Sequence, residues 1–460
     1  MTQLAAWLAV CLGVAWFFRS RPVHALALVV LLWTALPAVA GYRLTGQTTG
    51  SFAFHPATWL VLAIFVLQLT LRPAKLAAAV SRHTLLFVVV TIFTIGAFLT
   101  SRVGNSGGTR LMFDQIIGPF LLFWLVVAFA HEDRRVGLVL RNAIIFAAAA
   151  ESVLAIIQKG TGSIIFYLDD YSRLYWFNPE TFERWMGTTD SPLVFSLAVC
   201  IAGALTLGLK NWVLRFTLLF LFLIGTLITQ SRTGTALMCV IILYSILRSH
   251  MVVWARALTA LAVVITGYYI ATSTLVSGLT ERLTNDTGSA DARIRALRFV
   301  FENWNGYLAT GFGLTSSYAI ARDSGLRTSL ESSYLMYVVD VGLILATAYF
   351  GAQIALLVRY GRQRAYLGVT FAAVVGVLLQ HSFSGVAGTN LAGTYIWATL
   401  AMMVVGKTVM DAERARAIAT TAPDPPAIPR RNGRPHPHPA PDDLRRPAAD
   451  ADKEITSASV

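Results

Sequence analysis

Four stretches of this chain carry residue types that bind anions or move protons. The first is Gln230-Ser231-Arg232-Thr233-Gly234, set between two long apolar runs. An arginine there is costly to desolvate, so it either anchors at a lipid interface or holds an anion. Gly234 would let a ligand approach the backbone, and the hydroxyls of Ser231 and Thr233 suit phosphate oxygens. The second is Asp291-Ala-Arg293-Ile-Arg295-Ala-Leu-Arg298, followed by Gly311-Phe-Gly313. The spacing predicts an amphipathic helix over 293–304, with Arg295 and Arg298 an i, i+3 pair on one face. Two such guanidiniums could clamp a diphosphate bidentately or lay the helix on lipid headgroups. Arg293 joins them only if the helix starts at or after it.

The third stretch is Leu330-Glu331-Ser332-Ser333-Tyr334-Leu335, then Asp340-Val-Gly342-Leu343. Glu331 stands where a polar segment re-enters apolar sequence. It reads either as a general base or as part of a helix's first turn. Asp340, two turns deeper, needs a polar or basic partner. The fourth is Arg184-Trp-Met-Gly187-Thr-Thr-Asp190-Ser191-Pro192, where Pro192 suits a first helical turn. Tyr167, Tyr171, Tyr175, Trp176, Phe177 and Trp185 make the preceding segment aromatic, fit for a lipid interface or for stacking on sugar rings. His381, in Gln380-His-Ser-Phe, is the one histidine near the same end of a span, as a polar contact or a site residue.

The elements that must position these residues follow from composition. The 460 residues are 56% hydrophobic and only 13% charged, with mean hydropathy +0.62. A soluble domain carries about 25% charged residues, so an ordinary soluble enzyme, a disordered chain and a disulfide scaffold are excluded. Apolar runs centre near 4–18, 23–40, 56–71, 84–100, 111–130, 136–157, 192–209, 212–229, 234–248, 253–275, 333–358, 366–381 and 390–406. They are too long and unalternating for membrane strands. The expectation is an all-α polytopic membrane protein with about 12–13 transmembrane helices. The N-terminal run lacks a basic leader and reads as the first span. Cys11, Cys200 and Cys239 lie within apolar runs as small buried hydrophobes, without metal or disulfide spacing.

Charge sets the topology. Net charge is 37 − 24 = +13, and residues 408–460 contribute eight basic and eight acidic residues. One set of loops carries sixteen basic residues, from Arg19 and Arg21 through Arg72, Lys75 and Arg82 to Lys407. The opposite short loops carry four: Arg43, Arg102, Arg110 and Arg232. The first set belongs in the cytoplasm. Thirteen spans then put the N-terminus outside and the C-terminus inside. Two long loops, about 158–191 and 276–332, fall together on the outer face. The transmembrane domain is 1–407. The tail 408–460, with nine of the 16 prolines between Pro423 and Pro447, reads as a disordered cytoplasmic extension. No clustered basic module suits nucleic acid.

The order of these motifs resembles the O-antigen ligase and polysaccharide polymerase superfamily. The matching elements are Arg-x-x-Gly-x-x-x-x-Pro (184–192), Ser-Arg-Thr-Gly (231–234), Arg293 before Gly-Phe-Gly (311–313), and Ser-x-Tyr-Leu…Gly-Leu (332–343). The resemblance covers roughly residues 180–390. It implies a GT-C-like bundle of about twelve spans in a bacterial inner membrane, and an inverting glycosyltransferase, independent of metal and cofactor, acting at the outer face. The donor would be an oligosaccharide on undecaprenyl diphosphate. Membrane lipids, a flippase and chain-length regulator proteins would be further partners. It also implies that Arg232 and Arg293 hold the diphosphate, with Arg184 beside them; the reading of the residues themselves adds Arg295, Arg298, Ser231, Tyr334 and His381 as candidate substrate contacts. The ligases carry a His-Asn pair where this chain has Glu331 and Ser332, and related polymerases often have an acidic or polar residue there. The resemblance therefore favours a polymerase with Glu331 as base. A ligase-type transfer to another acceptor and a glycolipid transporter are the alternatives.

A topology reporter inserted within 158–191 or 276–332 is expected to read as extracytoplasmic, and one placed after Lys407 as cytoplasmic. The opposite pattern would overturn the charge assignment.

Overall fold

The computed structural model describes residues 2–50, 52–104, 106–130, 135–174, 177–178, 183–248, 288–326, 330–361, 368–382 and 390–421, with isolated positions 254, 257, 261 and 265. The expected run at 253–275 and the tail beyond 421 lie largely outside the described residues. The chain divides into two units, Met1–Ala412 and Glu413–Val460. The described residues form helices and connecting turns, with no strand among them.

In chain order the helices are α1 (Thr2–Phe17), α2 (Pro22–Ala35), α3 (Tyr42–Thr45), α4 (Pro56–Leu71), α5 (Pro73–Arg82) and α6 (Thr84–Val103). Next come α7 (Thr109–Met112), a π turn at Phe113–Ile117, α8 (Gly118–Phe129), α9 (Val136–Thr161), α10 (Leu168–Tyr171), α11 (Pro192–Thr206), α12 (Trp212–Ile228) and α13 (Arg232–Arg248). The rest are α14 (Gly288–Glu302), α15 (Ser316–Asp323), α16 (Ser333–Val341), α17 (Leu343–Tyr360), α18 (Val369–Leu379) and α19 (Asn390–Thr421). The last helix runs fourteen residues past 407, where the sequence suggested the tail begins.

Among the described residues, four helical stretches are long and apolar enough to cross a membrane: Thr84–Val103, Arg110–Phe129, Val136–Thr161 and Leu343–Tyr360. Two bent pairs raise that number to six, and five shorter apolar helices accompany them. The difference from 12–13 uniform spans has local causes. Pro37 cannot continue α2, and the chain resumes after a 95° bend. Pro73 separates α4 from α5 by 104°, Arg72 being held out of helical geometry before it. α11 is buried on every side, packed by α9, α12, α13 and α18. A helix apolar all round belongs at such a centre. Cys11 and Cys200 are buried as expected, but Cys239 is exposed on α13.

The run at 333–358 is not one helix. It breaks at Gly342, whose φ of 115° is open to glycine and strained for other residues. The freed backbone is satisfied by the segment before α15. Phe312 N–H donates to Val339 O at 3.0 Å, Gly313 N–H to Asp340 O at 2.8 Å, and Ile344 N–H to Leu308 O at 3.2 Å. The Asp340 carboxylate accepts from Ser317 N–H at 2.7 Å and Thr315 N–H at 3.2 Å, capping α15. The partner expected of Asp340 is thus backbone. Gly311 and Gly313 make the approach possible. A Cβ on Gly311 would collide with the Asp340 carbonyl, and one on Gly313 would stand 2.7 Å from the Ser101 Cα.

Gly311→Ala is expected to cost about 1–3 kcal/mol through this overpacking. Gly351→Ala, with nothing within 4 Å of the added Cβ on α17, should be neutral or gain up to about 1 kcal/mol. Thermal midpoints in detergent measure both; equal midpoints would contradict the close-packed turn.

Candidate functional site

Two groups of motif residues are assembled by different elements. The first lies at the α12–α13 turn. Gln230 adopts φ 52°, the left-handed region that suits few non-glycine residues. The turn lets Ser231 Oγ accept from Gly234 N–H at 3.2 Å, which caps α13 just before Arg232. Arg184 Nε donates to Thr229 O at 3.0 Å, and Gln230 Nε2 to Glu183 O at 3.4 Å. Arg184 and Arg232, both half-buried, are thereby tied to one turn. Gly234 serves packing rather than ligand approach: a Cβ there would collide with Ser196 Oγ on α11.

The second group surrounds the 3-10 turn Gln380–Ser382. Arg293 Nη2 donates to Ser382 O at 3.2 Å. The Tyr334 and His381 rings meet edge-on at 6.1 Å, and His381 also faces Phe350 at 5.2 Å. Tyr334 Oη and Thr347 Oγ1 are 2.9 Å apart. Glu331, half-buried with φ 56°, stands one residue outside the Ser332 N-cap of α16. It is therefore outside the first turn.

Helix α14 begins at Gly288, ahead of Arg293. Arg293 accordingly lies at i, i+3 and i, i+7 to the buried Ala296 and Val300, on the bundle-facing side. All three arginines are exposed, but Arg295 and Arg298 lie on the other side of the helix from Arg293. The structure separates the three arginines that the sequence sets in one motif.

Charged groups inside the long helices have fixed partners. Asp114 accepts from Thr58 Oγ1 at 2.6 Å and His55 N–H at 3.0 Å. Glu151 accepts from Thr188 N–H at 2.6 Å and Thr188 Oγ1 at 2.7 Å. Arg141 donates to Gly208 O at 3.1 Å and to the Asn142 side chain. The loops add a fully buried Asp170, which accepts from Arg43 Nε and Tyr42 Oη, each at 2.7 Å. Sequence reading missed this latch. Its only signal was that Arg43 and the 158–191 loop were expected on one face. Asp190 accepts from Ala38 N–H at 2.5 Å, tying the first helix break to the same loop. Burial pushes the Asp190 carboxyl up to about 6, opposed by the Ala38 N–H. Tyr175 and Trp176 lie outside the described residues. Among the described residues, no three His, Cys, Asp or Glu side chains group as metal ligands. The chain matches no protein-family model and no curated protein sequence.

Asp190 gives a pH signature. Its folded pKa lies above the unfolded value of about 3.9, so the folded state binds the proton more tightly. The stability this confers is complete below about pH 4 and is lost as pH rises through about 6. The thermal midpoint of Asp190→Asn should therefore fall less between pH 4 and 7 than that of the parent. Identical slopes would remove Asp190 as the source.

Proposed function

We propose that this chain polymerises oligosaccharide repeat units carried on undecaprenyl diphosphate, within a GT-C-like helical bundle at the outer face of a bacterial inner membrane. The observation that carries the reading is the contact that Arg293 makes with the 3-10 turn Gln380–Ser382. The Arg293 guanidinium reaches the Ser382 carbonyl beside His381 and Tyr334, at the end of a buried helix. Breaking a sugar–diphosphate bond requires stabilisation of the charge that develops on the leaving group. In this reading Arg232 and Arg293 hold the diphosphate bidentately, and Arg184 steadies the turn that carries Arg232. Glu331 accepts the proton of the acceptor hydroxyl. The acceptor oxygen bonds the anomeric carbon, the carbon–oxygen bond to diphosphate breaks, and the configuration inverts. Ser231, Tyr334 and His381 line the substrate.

The transporter alternative is less well supported. An intramembrane relay needs charged groups that can exchange partners. Asp114, Glu151 and Asp340 instead accept fixed backbone N–H groups. A ligase would use the same leaving-group chemistry with another acceptor.

The separate variants Arg232→Ala and Arg293→Ala should reduce polymer to single-repeat products at unchanged expression. Normal polymer from both would overturn the reading. Polymer that still forms in a deletion strain but stays lipid-linked would assign the chain as a ligase.

A further inference from the structure

The arginines that α14 turns away from the bundle sit beside an exposed apolar stripe. Ile294, Leu297 and Phe301 follow i, i+3, i+7 spacing and are 55%, 49% and 72% exposed. Trp304, in the 3-10 turn that follows, is 45% exposed. On a helical projection Arg298 lies about 40° from Ile294 and Arg295 about 100°, at 100° per residue. The opposite face is occupied: Ala296 and Val300 are buried, and Phe299 packs against the core. The exposed stripe is therefore not the side that holds the helix to the bundle.

The level of this helix is fixed by the ends of the long helices. Arg293 bonds Ser382, the last residue of the apolar stretch Val369–Ser382. Downstream, Leu314 N–H donates to the Ser101 hydroxyl at 3.0 Å, in the last turn of the membrane-length helix α6. Phe312, half exposed, packs its carbonyl onto Gly104 just beyond that helix. Residues 293–314 are pinned where apolar helices finish, which is where a bilayer gives way to headgroups. A short helix that is polar over most of its surface, apolar along one edge and basic beside it, suits that plane. Tryptophan has the same preference.

We infer that α14 and the Trp304 turn form an interfacial element whose partner is the lipid bilayer itself. Ile294, Leu297, Phe301 and Trp304 enter the acyl boundary while Arg295 and Arg298 engage anionic lipid phosphates. Arg293, bonded to Ser382, is held in place by a helix that is covered on one side by protein and on the other by lipid. This assignment stands independently of the proposed transferase activity.

The test is nitroxide labelling of single cysteines at 294, 297, 301 and 302 in the cysteine-free full-length protein. Samples are reconstituted in phosphatidylcholine bilayers with and without phosphatidylglycerol. The ratio of oxygen to nickel-chelate collision is expected to be several-fold higher at 294, 297 and 301 than at 302. Ratios at 301 and 302 that agree within error would overturn the insertion. Phosphatidylglycerol should deepen position 301 in the parent but not in the Arg295→Gln, Arg298→Gln double variant. Equal depths in both lipid compositions would overturn the phosphate contact. Each label replaces an exposed side chain, and the circular dichroism of every labelled protein checks that the fold persists.

Discussion

A helix that stops inside an apolar bundle leaves carbonyl groups with no donor, and lipid offers none. The break at Gly342 meets this constraint by recruiting a long polar segment. Val339 and Asp340 carbonyls accept from Phe312 and Gly313, and the Asp340 carboxylate caps α15. Residues 308–317 are thereby fixed against α16, and Gly311 and Gly313 allow the backbones to touch. Much of the candidate site depends on this join. α14, upstream of it, packs against α16 and carries Arg293 toward Ser382.

The same solution recurs at three other carboxylates, whereas the buried Asp170 is held by the side chains of Arg43 and Tyr42. Asp114 serves the start of α4, Glu151 serves the loop before α11, and Asp190 serves the first helix break. Each replaces water as the acceptor for backbone that a regular helix would satisfy by itself. Scarce charge is spent on architecture within the bundle. The arginines at the helix ends are the groups whose positions suit anion binding.

Much of the helical character was legible in the sequence, because uninterrupted apolar runs have few other ways to satisfy their backbone. The breaks were legible only in part. The apolar run ending at 71 matches the break at Pro73, whereas the run 23–40 passes straight through Pro37, and Gly342 reads as a motif residue until its φ is known. The Arg43–Asp170 latch joins residues 127 apart, and no local spacing encodes it. The arginine motif at 293–298 turned on one helix boundary. With the helix starting at Gly288, Arg293 lies on the edge that reaches Ser382 and its two neighbours do not. Gly234 illustrates the same limit, since small size suits a ligand and a packed neighbour equally and only the position of Ser196 decides.

The proposed chemistry reduces to recognition of a diphosphate on a lipid by arginines from two separate elements. Binding of undecaprenyl diphosphate and of undecaprenyl monophosphate to the purified protein tests that most directly. The account predicts at least tenfold tighter binding of the diphosphate, with the preference lost in Arg232→Ala and in Arg293→Ala. Equal affinity for the two lipids in the parent protein would contradict it.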